Sequence, residues 1–439
     1  MLVLSIDLIR REPEQVKRKL ERRGESATPI SVVLDLDSRR RVLVTERDTS
    51  RSRHKELSRQ FGRIRQEKGE VGAPELVEEI RQVSDRIATL ESEVTGLEGQ
   101  LLELMVGLPN LPLDTVPDGQ DETQNQVIRE AGVIRTFPFT PRPHWELGEE
   151  LGVIDLERGA KLSGTRFFIL RDQAARLERA LINWMLDVHT REHGYIEVSP
   201  PALVREEVLL GSGDLPKFSE NLYRDTDEDL WLIPTAEVPL NGMHKDEILD
   251  QALLPISYVA NTPCFRREKT AAGRDTRGIK RVHQFEKVEM YKIVEPDAAI
   301  EELALLVAHA EGLCERLGLA YRVVELCAGD LGLKSATTYD IEVWAPGCKE
   351  WLEVSSCSTC TDFQARRSNI RYRPKNGGRT EYVHTLNGSG LALPRIMIAL
   401  METYQREDGT IEIPEEIQPY TGFTSMERTN SSTPLRGTA

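Results

Sequence analysis

The sequence has few cysteines and no long apolar run. Its 439 residues include only six cysteines, too few and too irregularly spaced for a disulfide framework, so we expect reduced thiols and a cytoplasmic protein. No stretch approaches the roughly 20 apolar residues that a membrane-spanning helix needs. The first residues include Asp7 and do not resemble a secretory signal. Membrane proteins and disulfide-rich secreted domains are therefore disfavoured.

An excess of positive charge is also missing. The formal net charge is -15 at neutral pH, which argues against a surface uniformly adapted to nucleic acid, because phosphate contacts require clusters of lysine and arginine. Any contact with RNA must be local. The length allows two or three domains of ordinary size, each with its own core.

A coiled-coil pattern occupies residues 36–108. In its second half, apolar residues alternate steps of three and four, which lines one seam of a long helix. They are Ile80, Val83, Ile87, Leu90, Val94, Leu97, Leu101, Leu104 and Leu108. A looser seam precedes them at Leu36, Leu43, Leu57 and Ile64. Two glycines and a proline in residues 68–74 separate the halves, and this break predicts an antiparallel hairpin of two helices.

Charge is unequally divided between these two helices. The first is rich in arginine, for example Arg47, Arg51 and Arg59, whereas the second is rich in glutamate. One interpretation is pairing between the helices, which is common in coiled coils. The other is that part of the basic face meets RNA phosphates. Both can hold together.

The rest of the chain changes character after a proline-containing segment. We predict an N-terminal domain at residues 1–110, a linker at 111–127, a second domain at 128–422 and a disordered tail at 423–439. In the second domain, short β-rich runs alternate with helical stretches, and successive strands occur without a helix between them near residues 255–293. This order predicts an α+β fold with an antiparallel sheet.

The segment from Cys264 to Ile293 holds the most informative pattern. It is predicted to form a strand, a polar loop and a second strand. Since alternate side chains of a strand share a face, Arg266 and Glu268 should point together on the first strand, and Phe285 and Glu289 on the second. A cation, an aromatic ring and carboxylates then meet on one surface, which is more particular than an ordinary solvated hairpin.

This segment resembles the second signature motif of class II aminoacyl-tRNA synthetases, and two parts of it, GRDTRG and HQFEKVEM, narrow the resemblance to the seryl-tRNA synthetases. The family's first motif, which forms its dimer interface, resembles REHGYIEVSPP. Its third motif resembles LNGSGLALPRIMIALMETYQ, with Arg395 as the arginine. The serine-binding loop resembles LIPTAEVPL, and the ATP and magnesium segment resembles WLEVSSCSTCTDFQARR.

The resemblance covers nearly the whole chain and implies a fold and a reaction. The fold is an N-terminal antiparallel two-helix coiled-coil arm that binds tRNA, followed by a class II catalytic domain with an antiparallel β-sheet flanked by helices. The reaction activates L-serine with ATP and passes the seryl group to tRNA(Ser); the resemblance leaves open whether tRNA(Sec) is a second acceptor. The implied cofactors are ATP, as a substrate, and Mg²⁺, and the implied assembly is a homodimer.

The resemblance also implies which residues bind the nucleotide. Arg266 would grip the serine carboxylate and the α-phosphate, Phe285 would stack on adenine and Glu268 would contact the adenine edge. Arg395 would hold the γ-phosphate, so Arg266 and Arg395 are the catalytic residues. The remaining ATP-binding positions would be Arg267, Val282, Glu353, Val354, Ser355 and Ser356.

Serine and the metal ion would have their own residues. Thr235 and Glu237, with Ala236 between them, would receive the serine amino group, while Glu289 and Ser389 would contact the serine side chain. Arg266 would take its carboxylate. Glu353 and Ser356 would bind Mg²⁺, which prefers oxygen ligands. Because three residues separate Glu353 from Ser356, a turn or bulge is needed to bring both to one strand face.

Two features depart from the family pattern. Pro394 stands where glycine is usual before the arginine of the third motif, and we expect tolerance because a first-turn proline removes no helical hydrogen bond. The pair Lys269 and Thr270 is also less typical and could alter contact with the tRNA acceptor end. In addition, Cys357 and Cys360, with Cys348 upstream, could suggest zinc, but a second ligand pair is missing.

Three alternatives compete with this interpretation. A specialised paralogue could supply seryl-tRNA to a biosynthetic or resistance pathway. A ligase that aminoacylates a carrier protein would lack the arm. A coiled-coil RNA-binding or scaffold protein would account for residues 30–108 but would leave residues 264–420 unexplained.

Overall fold

The computed structural model of the chain describes residues 4–68, 74–269 and 277–428. The chain divides into two compact units, Met1–Leu108 and Pro109–Ala439. None of the described helices is long and apolar enough to cross a membrane.

In the described part of the first unit, all regular secondary structure is helical. Its helices are α1 (Ile6–Arg11), α2 (Pro13–Arg22), α3 (Thr28–Lys68) and α4 (Pro74–Val106). Ion pairs join α3 to α4. The residue numbers of the partners on α4 decrease as those on α3 increase: Arg40–Glu98, Arg51–Glu91 and Arg53–Glu79. The long helices are therefore antiparallel, as predicted. These pairs also confirm that part of the arginine face of α3 neutralises α4.

Apolar contacts between α3 and α4 follow the predicted seam with one shift. On α4 the buried residues are Leu90, Val94, Leu97, Leu101 and Met105. Met105 replaces the predicted Leu104, which is half-buried, because a helix of 3.6 residues per turn drifts from a strict heptad. The glycines of the predicted break lie outside the described residues.

A buried ion pair attaches α1 to α3. Arg10 donates from Nε to Asp37 Oδ2 at 2.6 Å and from Nη2 to Oδ1 at 2.7 Å. Asp37 is almost completely buried. The hydrogen bonds from Arg10 hold the pKa of this carboxyl below its usual range.

The second unit is built on an eight-stranded sheet in the order β1-β10-β11-β12-β15-β9-β8-β4. The strands are β1 (Gln126–Ala131), β2 (Ile154–Asp155), β3 (Ile169–Leu170), β4 (Ile196–Glu197), β5 (Leu203–Val204), β6 (Trp231–Leu232), β7 (Ile248–Asp250), β8 (Ile256–Phe265), β9 (Gln284–Val294), β10 (Tyr321–Glu325), β11 (Thr337–Ala345), β12 (Glu350–Thr361), β13 (Arg371–Arg373), β14 (Glu381–Tyr382), β15 (His384–Ala392), β16 (Ile411–Glu412) and β17 (Ser425–Met426). All neighbours in the large sheet are antiparallel except β4 and β8. The predicted α+β class with a mostly antiparallel sheet is confirmed.

Helices flank this sheet. They are α5 (His144–Leu151), α6 (Leu156–Ser163), α7 (Asp172–Arg191), α8 (Glu206–Ser212), α9 (Glu237–Gly242), α10 (Ala299–Arg316), α11 (Phe363–Ser368), α12 (Leu393–Thr403) and α13 (Gln418–Thr421). The apolar faces of α7, α10 and α12 form one core with the sheet, to which β9 contributes Val288 and Met290. The alternate residues Phe285 and Lys287 of the same strand line a cavity instead.

Two local features differ from the sequence prediction. The strand β8 ends at Phe265, so Arg266 and Glu268 do not share a strand face; Glu268 has a φ of 48°, in the left-handed region. The disordered tail was predicted to start at residue 423, which is too early. Ser425 and Met426 pair with β16, and Met426 is fully buried. Residues 429–439 lie outside the described residues.

The contact between Arg10 and Asp37 makes a testable prediction about the first unit. Asp37→Asn should lower the free energy of opening α1 by about 2 kcal/mol, because the charged hydrogen bonds are lost. A carboxyl with a depressed pKa stabilises the fold above its unfolded pKa of about 4 and loses that effect as pH falls through the folded value. Hydrogen exchange of the α1 amides should therefore be faster in the variant at pH 7, and the difference should shrink towards pH 3.

Asp35→Asn is the matched control, because Asp35 is exposed and faces Arg39 at 3.8 Å on the same helix. Equal exchange in Asp37→Asn and wild type at pH 7 would contradict the predicted role of the ion pair.

Candidate functional site

A cavity of about 460 Å³ opens on the second unit. Its walls come from the ends of β8 and β9, from β12 and β15, and from the start of α12. It brings together most of the residues that the sequence nominated: Thr235, Glu237, Arg266, Glu268, Val282, Phe285, Glu353, Val354, Ser356, Ser389 and Arg395. Residues separated by up to 160 positions thus share one site.

At one end of the cavity a guanidinium lies over an aromatic ring. The Cζ atom of Arg266 is 5.2 Å from the centre of the Phe285 ring. The Nε atom of Arg266 donates to the carbonyl of Pro234 at 3.3 Å, and its backbone N–H donates to His283 at 2.9 Å. Glu268 forms an ion pair with Arg281 at 3.6 Å. A fixed cation beside an aromatic ring that lines the cavity is suited to an anionic ligand that carries a flat ring.

A second cation stands at the start of α12. Arg395 Nη1 donates to the carbonyl oxygen of Glu353 at 2.7 Å and lies 3.3 Å from its carboxylate Oε2. Pro394 is the second residue of this helix, so its missing N–H falls in the first turn and removes no helical bond. The expected tolerance of proline here agrees with the structure.

The bulge expected between Glu353 and Ser356 is present. Ser355 pairs with Ile341 and Glu353 pairs with Glu342, which leaves Val354 as the extra residue. Opposite residues of an antiparallel pair share a face, and the bulge therefore turns the side chains of Glu353 and Ser356 to the same side.

A third oxygen-bearing residue adjoins this pair. Asp340 lies opposite Ser356 across the two strands. Its Oδ1 atom is buried and has no hydrogen-bond partner among the described residues. Burial, and then the negative charge of Glu353, raise the pKa of Asp340 well above its usual range. The hydroxyl and carboxylate oxygens of Ser356, Glu353 and Asp340 form a donor set that fits a hard divalent cation.

The far end of the cavity is lined by buried polar groups. The carboxylate of Glu237, only 2% exposed, binds Lys334 Nζ at 2.6 Å through Oε2 and accepts from Gln364 Nε2 at 2.7 Å through Oε1. The hydroxyl of Thr235 is buried without a hydrogen-bond partner among the described residues. An unsatisfied buried hydroxyl costs free energy, so this site gains stability when a ligand supplies the partner.

Glu289 lies behind the wall of the cavity. It is fully buried and forms an ion pair with Lys287, which does line the cavity. The Lys287 ammonium group contacts Oε2 of Glu289, whereas Oε1 has no hydrogen-bond partner within the described parts of the chain. Its cross-strand neighbour on β15 is Ser389, so both nominated side-chain contacts for a small polar ligand lie at one place on the sheet.

Apart from Glu289, three nominated side chains do not line the cavity. The hydroxyl of Ser355 is buried and donates to the carbonyl of Ser389 at 2.6 Å, so it supports β15. Arg267 lies over the ring of Tyr223, and Ala236 packs in an apolar cluster. The positions of the Ser355, Arg267 and Ala236 side chains therefore do not support their predicted contacts with a ligand.

Several cavity residues were not predicted from the sequence. Lys287 could have been found, because strand alternation places it on the face of Phe285 and Glu289. Lys334 and Asp214 could not, since they lie outside strands and meet Glu237 only through the tertiary fold.

The cysteines that suggested zinc are not gathered at one place. Cys357 contacts Ser355 and Cys360 contacts Asn387. Cys348 lies instead beside His144 and Glu402, where one carboxylate accepts from five donors: His144 N, His144 Nδ1, Cys348 Sγ, Gly347 N and Cys348 N. The other ring nitrogen of His144 accepts from Ile279 N at 3.2 Å. This junction is already saturated, which favours a structural role over metal binding.

Comparison with known families gives two matches. Residues 3–112 match the family described as seryl-tRNA synthetase N-terminal domain. Residues 217–404 match the tRNA synthetase class II core domain of the G, H, P, S and T enzymes.

Individual relatives extend the similarity over the whole chain. A serine–tRNA ligase from Thermomicrobium roseum is 54% identical over 423 residues, which are 96% of this chain and 94% of that protein. The corresponding protein of Chloroflexus aurantiacus is 52% identical over 97% of this chain and 99% of its own. The solved structure of seryl-tRNA synthetase from Pyrococcus horikoshii complexed with ATP has a TM-score of 0.91, with 40% identity, 97% coverage of this chain and 100% of that one.

The junction at Glu402 gives a prediction that separates structure from metal binding. Glu402→Gln should destabilise the second unit by about 2 to 3 kcal/mol, because an amide N–H₂ group cannot accept from the N–H donors that face it. Urea unfolding followed by circular dichroism measures the loss. Glu350→Gln, which affects the ion pair with Lys280 nearby, should change stability far less. A rise in the wild-type midpoint on adding Zn²⁺, absent in Glu402→Gln, would instead show a metal site.

Proposed function

The chain belongs to the seryl-tRNA synthetase family, and on that premise we propose how its cleft carries out the reaction. It is a class II aminoacyl-tRNA synthetase that activates L-serine with ATP and transfers the seryl group to tRNA(Ser). The relatives at about half identity are serine–tRNA ligases over nearly their whole length, and a specialised paralogue finds no support among them.

The first step needs no nucleophile from the protein. A carboxylate oxygen of serine attacks the α-phosphorus of ATP, a new O–P bond forms, and the bond to the β-phosphate breaks to release pyrophosphate. Arg266 would bind the serine carboxylate and the α-phosphate, and Arg395 would bind the γ-phosphate. Two preorganised cations stabilise the charge that develops on the phosphoryl oxygens, and fixed reactants lower the entropic barrier.

Magnesium would be held by Glu353 and Ser356, with Asp340 behind them. When bound, the ion neutralises phosphate charge and orients the triphosphate. The bulge at Val354 supports this assignment because it turns both side chains to one face. Glu353 also forms an ion pair with Arg395 at 3.3 Å. The residues assigned to the metal ion and to the γ-phosphate are therefore in contact with each other.

Buried polar groups without partners carry the assignment of the serine pocket. The Thr235 hydroxyl and the Oε1 atom of Glu289 lack hydrogen bonds from described residues, and serine offers an ammonium group for the first and a hydroxyl donor for the second. Glu237 adds negative charge for the ammonium. Alanine would leave Glu289 unsatisfied in a buried place, so it would be rejected strongly. Ser389, opposite Glu289, would limit the size of the side chain and disfavour threonine.

The transfer step and the assembly complete the proposal. In transfer, the terminal 3′-hydroxyl of the tRNA takes the seryl group and AMP leaves. We assign tRNA contact to the first unit and propose tRNA(Sec) as a second tRNA substrate. We also place the enzyme in the cytoplasm, because its six free thiols suit a reducing medium. A homodimer would form at the outermost strand β4, where Ile196 is 59% exposed, together with Leu203 at 47%.

Glu289→Gln tests the serine pocket. The specificity constant for serine in ATP–pyrophosphate exchange should fall by about a hundredfold, since the amide is a weaker acceptor and clashes electrostatically with Lys287. The KM for ATP should stay close to the wild-type value. Glu286→Gln is the matched control, because Glu286 lies on the opposite face of the same strand and bonds Asn261. Wild-type exchange in Glu289→Gln would remove Glu289 from the serine pocket.

Charge reversal on α3 tests the proposed RNA face. Arg59 is exposed and forms no ion pair with a described residue, whereas Arg51 binds Glu91 at 2.6 Å. Arg59→Glu should weaken tRNA binding and reduce the slope of affinity against salt concentration, because each lost phosphate contact lowers the number of counterions released on binding. ATP–pyrophosphate exchange should not change.

The swapped pair Arg51→Glu with Glu91→Arg controls for helix pairing. It reverses one pair without changing net charge, and it should preserve helicity. If Arg59→Glu left the affinity for tRNA and its salt slope unchanged, this part of α3 would not contact RNA.

A further inference from the structure

Lys334 joins two carboxylates in the wall of the cavity, and it has no assigned part in serine activation or transfer. Its Nζ atom is 2.6 Å from Glu237 Oε2 and 3.3 and 3.4 Å from the two oxygens of Asp214. These three residues come from separate segments of the chain. All three side chains line the cavity while remaining largely buried.

Neighbouring groups fix each member of this triad. Asp214 Oδ2 accepts from Ser212 Oγ at 2.6 Å, and the second oxygen of Glu237 accepts from Gln364. The backbone carbonyl of Lys334 accepts from Asn110 Nδ2 at 2.9 Å. The carboxylates therefore cannot move freely to meet a ligand, and Lys334 determines where their charge is presented.

The triad itself contains one cation and two anions, a net charge of one negative. The buried Arg367 also acts on Asp214, but it does not line the cavity. Burial alone would lower the pKa of Lys334, but Asp214 and Glu237 outweigh burial and raise it, so the amine stays charged. Burial raises the pKa of Glu237, and Lys334 opposes that rise. One unmatched negative charge in a site of low polarity attracts a single cationic group.

We propose that Lys334 is a positioning residue that sets this wall at one net negative charge, so that it accepts the ammonium group of one α-amino acid. The inference rests on the proposed serine pocket and deepens it: Thr235 supplies a hydrogen bond, while the triad supplies the charge balance. With the ammonium group bound, two cations face two anions. Neither carboxylate then needs a proton from solvent.

A double-mutant cycle tests this charge balance in serine-dependent ATP–pyrophosphate exchange. Asp214→Asn leaves the wall neutral and should raise the KM for serine about tenfold, the effect of losing one charge interaction. Lys334→Met forces the two carboxylates to share a proton, so its KM for serine should also rise near neutral pH. The double variant returns the wall to one negative charge, and its KM for serine should be lower than that of either single variant.

The pH profile gives a readout that loss of packing would not produce. In Lys334→Met, serine must displace the shared proton, so the KM for serine should fall as pH rises from 6.5 to 8.5. In the wild type the same interval should show a flatter dependence. The KM for ATP should remain within about twofold of the wild-type value in all variants, because the triad does not touch the nucleotide residues.

Lys292→Met is the matched control for removing a buried lysine. Lys292 pairs with Glu302 at 2.6 Å and is no more exposed than Lys334, but it does not line the cavity. Its KM for serine should be unchanged. Additive losses in the double variant, a pH profile parallel to that of wild type, or an equal effect of Lys292→Met would each overturn the inference. Wild-type protein without serine-dependent exchange would instead overturn the proposed function itself.

Discussion

Charge burial at the cleft constrains the whole second unit. Transfer of a carboxylate or an ammonium group out of water costs several kcal/mol unless a partner with good geometry stands beside it. The cleft contains such partners in pairs: Lys334 with Glu237, Lys287 with Glu289, and Arg395 with Glu353. Partners in two of these pairs come from different segments, so the sheet and its helices must hold their relative positions for the cleft to exist.

The sheet supplies that rigidity through its central strands. The strands β9, β12 and β15 are neighbours or next neighbours in the sheet, and each carries apolar residues into the core on one face. The alternate positions present Phe285, Lys287 and Glu289 along one strand and the bulged pair Glu353 and Ser356 on another. Preorganisation of this kind is the main source of electrostatic catalysis, because the groups need not rearrange when charge develops.

Polar groups that lack partners have a different meaning from the paired charges. Thr235 Oγ1, Glu289 Oε1 and Asp340 Oδ1 are buried without hydrogen bonds from the described residues. Each lies in or behind the cavity, at the places assigned to the serine ammonium group, the serine hydroxyl and the metal ion. A ligand that supplies the missing partners would bind more tightly for that reason, which explains why such groups are tolerated at these positions.

Much of the fold could be predicted from local pattern. The heptad seam located α3 and α4, and strand alternation grouped Phe285 with Glu289. The three-residue spacing of Glu353 and Ser356 demanded the bulge that the pairing of β11 and β12 contains. These successes share one reason: the information lies within a few residues of each position.

The predictions that failed concern features that depend on residues far apart in the chain. The end of β8 before Arg266 and the pairing of Met426 with β16 depend on contacts with distant segments. The same is true of Lys334, whose two carboxylate partners are about 100 residues away in the chain. Ser355 was nominated by its place in a motif, yet its hydroxyl turns to Ser389. Motifs identified the site, but only the tertiary fold decides which side chains reach it.

A structure of the enzyme with a non-hydrolysable seryl-adenylate analogue tests the central claim most directly. The account predicts that the adenine ring stacks on Phe285, that the ammonium group lies about 3 Å from Thr235 Oγ1, and that the serine hydroxyl donates to Glu289. The buried groups that lack partners would then be satisfied by the ligand. A bound analogue whose seryl group makes no contact with Thr235 or Glu289 would contradict the account.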